Sequence, residues 1–558
     1  MENDVRREKF LREAVVEVHG KLYHWIDALA LWLENRLRER KKDSYVFNGG
    51  LSVSGLQHVG RLRGEIVIPD IVANILEEKG FKIKRMLTLY TQDAWKGKPN
   101  QLKTFKDTES AKRFIGWPLV RVPDPKGCHS NWVEHFWSDF GPYIEEFTRG
   151  KVEVVTTTEL YQGKLREFTM MILGKRDEVR KVVNKYRGRK PYPEGWIPFE
   201  AICGKCGRID STEAIAIKGD KIEYRCRNCG YRGLASISDG KLNWRIEWVG
   251  VWWSLGVDFE PYGKDHATPG GSRDSANELA VMLGVKPPEG IPYEWVSLRT
   301  EAGETDMSSS SFVGFTPREW LEVAEPEVYR FLVLRTPPMR KLVLSLREIP
   351  NYYAWYYQAE RIYYGLESTG RKELDILLKR SYELSYVRGQ PPSEPPAQPP
   401  YTHLAILAQI LPSDKLLDEA LRRLQRTGHI PLKPREIDIE RVKRMLPRAK
   451  NWAEKYAPEN MRIRIVEKLS DNIIKRIEGF RKDLERLADE LEKLREWKED
   501  EIKEAMIRAT RGLDAKRRRD FYAALYTLFF GKSSGPRAAP LLSLLEKKFV
   551  INRLRLVE

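Results

Sequence analysis

The chain contains 558 residues, enough for about three or four domains of ordinary size, and its 97 basic residues outnumber 80 acidic ones to give a net charge of +17. This excess indicates a polyanionic partner, with nucleic acid as the first candidate. With 41% apolar residues and 16 tryptophans the composition excludes a disordered basic tail, and five cysteines are too few for an extracellular disulfide framework.

The start of the chain, MENDVRREKF, contains no apolar signal core, and no later apolar run approaches the roughly 20 residues that span a bilayer. We therefore expect a cytoplasmic protein with no membrane partner. The abundance of Lys, Arg and Glu is also typical of a thermophile.

The first 100 residues are predicted to contain a helical segment followed by half of a nucleotide-binding fold. In residues 1–42 the apolar positions have helical spacing and predict one or two helices: Phe10, Ala14, Val15, Val18, Trp25, Leu29 and Leu31. Residues 43–100 then read as a strand (SYVFNGG), a glycine turn, a helix that Pro69 interrupts, and a second strand (IKRMLTLY, 83–90). This order opens a βαβ unit and predicts the first half of a Rossmann domain.

The middle of the chain is predicted to interrupt the Rossmann domain and then complete it. Residues 101–240 contain Trp- and Cys-bearing segments and are predicted as a connective insertion with zinc sites. Residues 241–299 form the predicted second half, with strand-like stretches WRIEWVGVWW and YEWVSLRT. In the region 300–350, Thr316, Pro317 and Glu319 form a capping box that marks the start of a helix.

Residues 351–558 are predicted to be helical throughout, apart from a proline-rich linker at 389–400. Apolar residues from 473 to 494 follow alternating steps of four and three, which predicts one long charged helix with a narrow apolar seam. A helix hairpin within the chain is favoured over a coiled coil between two chains, so we expect a monomer.

Four cysteines form the strongest motif in the sequence. They occur in CGKCG and CRNCG, two pairs separated by 19 residues, each followed by a glycine. This spacing is typical of a zinc ribbon, in which four thiolates close a structural site. The predicted ligands are Cys203, Cys206, Cys226 and Cys229.

The fifth cysteine lies in a second cluster of metal-competent residues. The segment VPDPKGCHSNWVEHF contains Asp124, Cys128, His129 and His135 within twelve residues. All four side chains are competent zinc ligands, but the spacing matches no general motif. From the residues alone, a second zinc site and a polar loop with a free thiol both remain open.

Three further segments are weak signals individually. SGLQHVGR, residues 54–61, follows a strand and enters a helix, where free amides favour a phosphate, although for this segment alone an ordinary glycine turn with a surface histidine is the favoured interpretation. GKDHATPGGSRDS (263–275) supplies an acid, a histidine and paired glycines, and TEAGETDMSSSSF (300–312) is a Gly/Ser loop before the capped helix. Their order along the chain is more informative than each alone.

That order resembles the layout of class I aminoacyl-tRNA synthetases, and within them the class I, archaeal-type lysyl-tRNA synthetases. The resemblance covers most of the chain from about residue 45, and the segments that carry it are VPDPKGCHSNWVEHF, WRIEW, FEPYGKDHATPGGSRDS, PYEWV, LEVAEPEVYRFL, HLAILAQI and GPRAAPLLSLLEKKFVINRL. It implies an α/β fold: a Rossmann-type catalytic domain with a parallel sheet and a zinc-bearing insertion, followed by an all-α anticodon-binding domain. It also implies lysine, ATP, Mg²⁺, two Zn²⁺ and a lysine-accepting tRNA as substrates, cofactors and partners.

The resemblance assigns roles to individual residues. The catalytic group it implies is His58, Gly60, Arg61, Ser308 and Ser310. The ATP-binding group is Ser54, Gly55, His58, Gly60, Asp265 and Met307, with Lys264 beside it in the GKDH segment. The lysine pocket is implied to contain Gly50, Ser52, Trp244, Glu247, His266 and Tyr293. Asp124, Cys128, His129 and His135 match the second zinc set of the family.

Two departures from the family pattern stand out. The acidic segment with a basic follow-on, at 92–103, matches only in part, and the KMSKS signature reads Asp306, Met307, Ser308, Ser309, Ser310, without lysine. We therefore expect other cations, Arg61 and Arg299, to replace the missing charge. The predicted function is ATP-dependent activation of lysine and its transfer to tRNA, with an impaired tRNA-binding paralogue or a synthetase for another amino acid as alternatives.

Overall fold

The computed structural model describes residues 6–188 and 190–557. Two compact units make up the chain. Of the described residues, the first contains 6–188, 190–320, 329–344 and 368–390, and the second contains 321–328, 345–367 and 391–557. In the described ranges, no helix combines the length and the apolar character needed to cross a membrane.

The strands of the described residues belong to small and medium-sized sheets. In chain order they are β1 (Val15–Val18), β2 (Lys21–His24), β3 (Tyr45–Leu51), β4 (Ile83–Leu89), β5 (Val152–Thr156), β6 (Phe199–Ala201), β7 (Thr212–Lys218), β8 (Lys221–Cys226), β9 (Arg232–Ser236), β10 (Gly240–Leu242), β11 (Val257–Phe259), β12 (Tyr262–Gly263), β13 (Pro292–Tyr293), β14 (Val296–Thr300), β15 (Gly303–Asp306) and β16 (Leu342–Leu344).

Helices make up most of the rest. In chain order they are α1 (Arg7–Arg12), α2 (Trp25–Arg38), α3 (Gly60–Leu62), α4 (Ile68–Glu77), α5 (Pro99–Leu102), α6 (Thr108–Ala111), α7 (Trp132–Trp137), α8 (Thr157–Leu160), α9 (Lys164–Gly174), α10 (Arg176–Lys185), α11 (Trp244–Leu255), α12 (Ser272–Met282), α13 (Pro317–Leu321), α14 (Pro326–Leu334), α15 (Ile349–Tyr363), α16 (Lys372–Ser385), α17 (Tyr401–Ile410), α18 (Leu416–Arg426), α19 (Glu436–Lys455), α20 (Asp471–Ile477), α21 (Arg481–Glu492), α22 (Glu499–Ala509), α23 (Ala515–Phe530), α24 (Ala538–Leu544) and α25 (Lys547–Leu554). Short 3₁₀ turns occur at Lys112–Phe114, Leu119–Arg121, Gly141–Glu146, Lys264–His266, Leu346–Glu348, Ser413–Lys415, Glu459–Met461 and Glu478–Phe480.

The first unit is built on a parallel sheet with the strand order β11-β3-β4-β5. Strand β3 pairs with β4 from Tyr45↔Ile83 to Leu51↔Leu89, and the intervening helices complete the predicted βαβ unit. The central strands β3 and β4 are mostly buried, with Phe47 and Leu87 fully inaccessible, as expected for parallel strands covered on both faces. The predicted α/β class with a parallel sheet is therefore confirmed.

The helical segment after β3 continues past Pro69, but it changes from a π-turn to an α-helix just before that residue. Residues Arg63–Val67 make a π-turn, in which the N–H of Ile68 donates to the Arg63 carbonyl, and α4 begins at Ile68. Proline is tolerated in the first turn of a helix because its missing N–H is not needed there. The predicted interruption is thus a change of helix type.

Three local predictions were wrong. Residues 15–24 form a β-hairpin, because Val15–Val18 are suited to a strand and His19 and Gly20 turn with φ of 50° and 74°. WRIEWVGVWW forms helix α11, which is buried nearly all round, so it lacks the polar face that identifies a helix in a sequence. The predicted long helix over 473–494 is broken into α20 and α21 by a 3₁₀ turn that contains Gly479.

Part of the predicted insertion belongs to the central sheet. Strand β5, at 152–156, lies inside the range 101–240 but pairs in parallel with β4. The remaining cysteine-bearing part folds as the antiparallel sheet β7-β8-β9, beside the antiparallel pair β6-β10. The capping box at 316–319 is confirmed, since Thr316 Oγ1 accepts from the Glu319 N–H at 3.2 Å and Glu319 Oε2 accepts from the Thr316 N–H at 2.7 Å.

The second unit is almost entirely helical. Helix α17 packs against α19, α21 against α22, and α20 against α23, which agrees with helix hairpins formed within the chain. A buried ion pair at 2.6 Å joins Arg441 of α19 to Glu360 of α15. The proline-rich segment at 389–400 contains no helix or strand, as predicted. Helix α16 belongs to the first unit and contacts β2 there, although residues 351–558 were predicted to form one domain.

Candidate active site

A cavity of about 540 Å³ opens in the first unit at the carboxyl ends of β3 and β11. In open parallel sheets, this edge is where ligands bind. Most of the residues predicted from sequence line the cavity: Gly50, Ser52, Ser54, His58, Gly60, Arg61, Trp244, Asp265, His266, Tyr293, Met307, Ser308 and Ser310. Tertiary structure therefore brings together groups that lie far apart in the sequence.

The turn after β3 places His58 and Gly60 at the cavity wall. Burial, and then the nearby Arg61 guanidinium, lower the pKa of His58 to about 3, so its imidazole is neutral and can donate one hydrogen bond. A side chain on Gly60 would come within 2.9 Å of the Val296 Cβ and 3.0 Å of His58 Nδ1. Only glycine therefore fits at this start of α3.

Two buried carboxylates that the sequence analysis did not assign face the cavity, and the first is Glu65. It accepts a hydrogen bond from the Gly50 N–H at 2.8 Å and another from the Tyr293 hydroxyl. Burial raises the pKa of Glu65 to about 7, despite these two donors. Glu65 lies in the π-turn at Arg63–Val67, seven residues after His58, and no sequence pattern singled it out.

The second carboxylate is Glu260, the residue after β11. Its oxygens accept hydrogen bonds from Trp248 Nε1 at 2.6 Å, Asn48 Nδ2 at 3.0 Å and Trp252 Nε1 at 3.1 Å. Burial raises its pKa above the ordinary value for a glutamate. Beside it, the buried hydroxyl of Tyr90 has no hydrogen-bond partner in the described part of the chain. An acid directly after a strand of a parallel sheet was the available sequence signal.

Aromatic rings form another wall of the cavity. Trp244 stacks on His266 at a centroid distance of 5.2 Å and on Trp248 at 5.4 Å. His266 Nδ1 lies 2.9 Å from Ser272 Oγ, which fixes the ring orientation. The wall offers flat apolar surface next to the two carboxylates.

Glu247 does not line the cavity, contrary to the prediction that it faces the substrate. It is fully buried, 2.9 Å from the Tyr161 hydroxyl and 2.9 Å from Lys241 Nζ. A residue of α11 that faces away from the cavity cannot reach a ligand there. Gly55 is also absent from the lining, since it lies against the Ser309 carbonyl and the Phe312 ring.

We call residues 306–312 the serine loop. It follows the β14-β15 hairpin and is closed by reciprocal backbone hydrogen bonds between Ser308 and Val313 at 2.8 and 3.0 Å. Two cations from other segments reach it: Arg61 Nε donates to Ser309 Oγ at 2.8 Å, and Lys98 Nζ donates to Ser310 Oγ at 2.8 Å. Lys98 lies in the segment 92–103 that matches the family pattern only in part.

The Asp306 carboxylate is held by neighbours in the first unit. Ser297 Oγ donates to Oδ1 at 2.6 Å and Lys341 Nζ lies 3.4 Å away. These contacts lower the pKa of Asp306, the Ser297 hydrogen bond having the largest effect. Arg299, expected to bring charge to this loop, pairs instead with Glu304 on the exposed hairpin at 2.9 Å and is not among the lining residues.

The four predicted cysteines converge as expected for a zinc ribbon. The Sγ atoms of Cys203 and Cys229, and those of Cys206 and Cys226, lie 3.7 Å apart. A tetrahedron with Zn–S bonds of about 2.3 Å separates its sulfurs by about 3.8 Å. Gly207 and Gly230 follow each pair with φ of 75° and 72°, so the donor set and its turns fit Zn²⁺.

The second predicted cluster also has the dimensions of a metal site. Cys128 Sγ lies 3.1 Å from His129 Nδ1 and 3.3 Å from His135 Nδ1, and Asp124 Oδ1 lies 3.0 Å from His135 Nδ1. One sulfur, two imidazole nitrogens and one carboxylate oxygen at these distances fit a tetrahedral zinc ion. The cluster could therefore hold a metal ion.

Comparison with known proteins gives two matching family models and a group of similar lysine–tRNA ligases. A family model described as tRNA synthetases class I (K) matches residues 23–388, and one described as an anticodon binding domain matches residues 458–557. The lysine–tRNA ligase of Aeropyrum pernix is 56% identical over 535 residues, 95% of this chain and 97% of that protein. Those of Pyrococcus horikoshii and Thermococcus kodakarensis are 34% and 33% identical, each over 96% of this chain and 100% of their own length.

Proposed function

This chain belongs to the family of class I tRNA synthetases for lysine, and from that membership we propose that it is a lysine–tRNA ligase. It activates lysine with ATP to form lysyl-adenylate and pyrophosphate, and then transfers the lysyl group to the 3′ end of its tRNA. The observation that carries the proposal is the 56% identity over 95% of the chain to a lysine–tRNA ligase. The lining of the cavity supports it.

Lysine carries two ammonium groups, and the cavity supplies two buried carboxylates for them. Glu65 and Glu260 both line it, together with the unpartnered hydroxyl of Tyr90. Burial raises the pKa of both carboxyl groups, which indicates that the protein compensates their negative charge incompletely, so a bound cation would stabilise the ionised forms. Trp244, Trp248 and His266 provide flat surface for the aliphatic part of lysine.

The chemical step needs no general base, because the lysine carboxylate is itself the nucleophile. It attacks the α-phosphorus of ATP, a P–O bond to pyrophosphate breaks, and pyrophosphate leaves with the magnesium ion that enters as part of the ATP complex. The protein positions the two anions and stabilises the developing charge. We assign this role to the neutral His58 as hydrogen-bond donor, with Ser54, Gly60, Asp265 and Met307 around the nucleotide.

Two cations compensate for the absence of lysine from the serine loop. Arg61 and Lys98 each contact a serine hydroxyl of the loop at 2.8 Å, which supports a role in holding the loop over the pyrophosphate and adding positive charge. Asp306 would repel the triphosphate, but Ser297 and Lys341 engage its carboxylate. Ser308 and Ser310 line the cavity as additional hydroxyl donors.

The two metal-competent clusters of the first unit are proposed as structural zinc sites. Zn²⁺ held by Cys203, Cys206, Cys226 and Cys229, and by Asp124, Cys128, His129 and His135, would fix the loops that carry these residues. All four protein ligands are present at each site, so neither site needs an open position. We assign them no part in the reaction.

The helical second unit, which includes the anticodon-domain match at 458–557, is proposed to provide most of the tRNA affinity. The net charge of +17 supports a phosphate-rich partner. We further propose that the enzyme acts in the cytoplasm as a monomer.

Lysine-dependent exchange of label between pyrophosphate and ATP tests the first half-reaction, and charging of lysine-accepting tRNA tests the second. We expect exchange with lysine, and not with glutamate or arginine. Binding of tRNA without exchange under any amino acid would instead identify an inactive paralogue. Exchange with another amino acid would identify a different synthetase of the same class.

A further inference from the structure

Three residues of the second unit form a third cluster of metal-competent side chains, apart from the two in the first unit. His403 lies in the first turn of α17, His429 follows α18, and Glu499 begins α22. One ring nitrogen of each histidine and one carboxylate oxygen of Glu499 lie within 4.8 Å of one another. Nothing in the sequence pattern links these residues, which lie on three separate helical segments.

One ring nitrogen of the buried His403 side chain lacks a hydrogen-bond partner among the described residues. Its side chain is 7% exposed, and its buried Nδ1 has no hydrogen-bond partner in the described part of the chain. The His429 ring lies against it with a centroid distance of 4.4 Å and an interplanar angle of 87°. Buried imidazole nitrogens are ordinarily hydrogen-bonded, so an unpaired one in a histidine beside a second imidazole and a carboxylate points to a bound ligand.

The hydrogen bonds around His429 leave one of its nitrogens available. Thr427 Oγ1 lies 2.9 Å from the Arg423 carbonyl, to which its hydroxyl donates, and 2.7 Å from His429 Nδ1. Because the threonine proton is used, Nδ1–H of His429 donates to Oγ1, and the ring lone pair is then on Nε2. A histidine whose second nitrogen is fixed in this way is typical of metal ligands.

We propose that His403, His429 and Glu499 bind one divalent cation of the zinc type, with water as the remaining ligand. Two imidazoles and one carboxylate are a recognised zinc donor set. A tetrahedral ion with bonds of about 2.0–2.1 Å needs ligand atoms about 3.3 Å apart, so small side-chain rotations close the present spacing. The ion would crosslink three segments: α17, the end of α18 and the start of α22.

Solvent and charge around the cluster are compatible with this ion. His429 lines a groove of about 770 Å³ with Gly428, Trp497 and Lys498, which gives a hydrated cation access. The three cations that line the groove have counter-ions of their own: Arg426 lies 2.8 Å from Glu546, Arg435 lies 3.0 Å from Asp438, and Lys498 lies 2.6 Å from Glu496. The charge of Glu499 is then available to a metal.

The test is a metal count on the untagged full-length protein, made in zinc-containing medium, desalted and analysed by plasma mass spectrometry. We expect wild-type protein to contain one more zinc per chain than His429→Gln and Glu499→Gln. Glu504→Gln is the matched control, since Glu504 is an exposed glutamate of the same helix α22 and is outside the cluster, and it should keep the wild-type count. Comparing variants makes the result independent of zinc in the other two clusters.

A second readout covers the case in which His429→Gln misfolds. Mild chelation followed by added Zn²⁺ should raise the melting temperature of wild type by several degrees more than that of Glu499→Gln, because a ligand that binds only the folded state stabilises it and the variant keeps the other two clusters. Equal zinc contents in wild type and folded Glu499→Gln, with no difference in the thermal response, would overturn the proposal. The two histidines would then be a packed pair without a metal.

Discussion

Arg61 Nε donates a hydrogen bond to Ser309 Oγ over 2.8 Å, which joins the helix after the first central strand to the serine loop. The loop has Asp306 and Ser309 at the two positions where the family has lysine. We propose that Arg61 and Lys98, which lie elsewhere in the chain, supply the positive charge that the family's loop lysines provide. The contact gives the first prediction.

Replacing Arg61 by alanine should slow lysyl-adenylate formation at least tenfold, about 1.4 kcal/mol in the activation barrier. The guanidinium both holds the loop and lies near the expected pyrophosphate, so its loss affects the transition state. Pyrophosphate exchange measures the rate. Arg299→Ala is the matched control, since Arg299 pairs with Glu304 outside the cavity lining and should change exchange little. A neutral Arg61→Ala would refute compensation through this residue.

Lys98→Ala should also slow exchange, by severalfold, whereas Lys98→Arg should retain most of it. The reason is that Lys98 Nζ donates to Ser310 Oγ from outside the loop, and arginine keeps the positive charge. Lys103→Ala, an exposed lysine after the same short helix, serves as the control. Equal exchange rates for Lys98→Ala and Lys103→Ala would show that Lys98 does not contribute to lysine activation.

The apparent affinity for lysine should rise with pH from about pH 6 to about pH 8, with a midpoint near the pKa of Glu65, which burial raises to about 7 in the free enzyme. Below that value Glu65 is protonated and must lose its proton to bind an ammonium; above it, the carboxylate is already charged. Glu65→Gln should raise the KM for lysine at least tenfold, about 1.4 kcal/mol, and flatten this profile. An unchanged profile in Glu65→Gln would assign the dependence to another group.

Each cluster of the first unit should hold one zinc. Cys206→Ser and Cys128→Ser should each lower the zinc content by one atom per chain relative to wild type, because each removes a thiolate ligand at tetrahedral spacing. Metal analysis of purified protein measures this difference. A Cys128→Ser protein with the wild-type zinc content would show that the second cluster is a polar loop with a free thiol.

Charge reversal at Lys516 and Arg519 should weaken tRNA binding while lysine-dependent exchange persists. Both are exposed in the first turns of α23, inside the anticodon-domain match. For each tRNA phosphate that the variant no longer neutralises, the slope of log affinity against log salt should become shallower by about one. Filter binding at several salt concentrations measures it. Unchanged affinity and slope would place the tRNA-binding surface elsewhere on the protein.

Features that depend on neighbouring residues were predictable from the sequence. The strands β3 and β4, the capping box at 316–319 and the ligand pairs of the cysteine ribbon all rest on residues a few positions apart, where backbone preference and reach decide the outcome. The Rossmann-type layout followed from the order of such segments. The resemblance then gave most of the cavity lining, because aligned segments fix residue identities.

Features that depend on burial or on distant contacts were decided only by the tertiary structure. Helix α11 has no polar face, so its sequence was indistinguishable from a strand until its surroundings were known. Glu247 and Glu260 are both buried acids near one another in sequence, yet only Glu260 faces the cavity, because the helix and the strand end point them differently. Lys98 meets Ser310 across 212 positions, and no local pattern encodes a contact of that range.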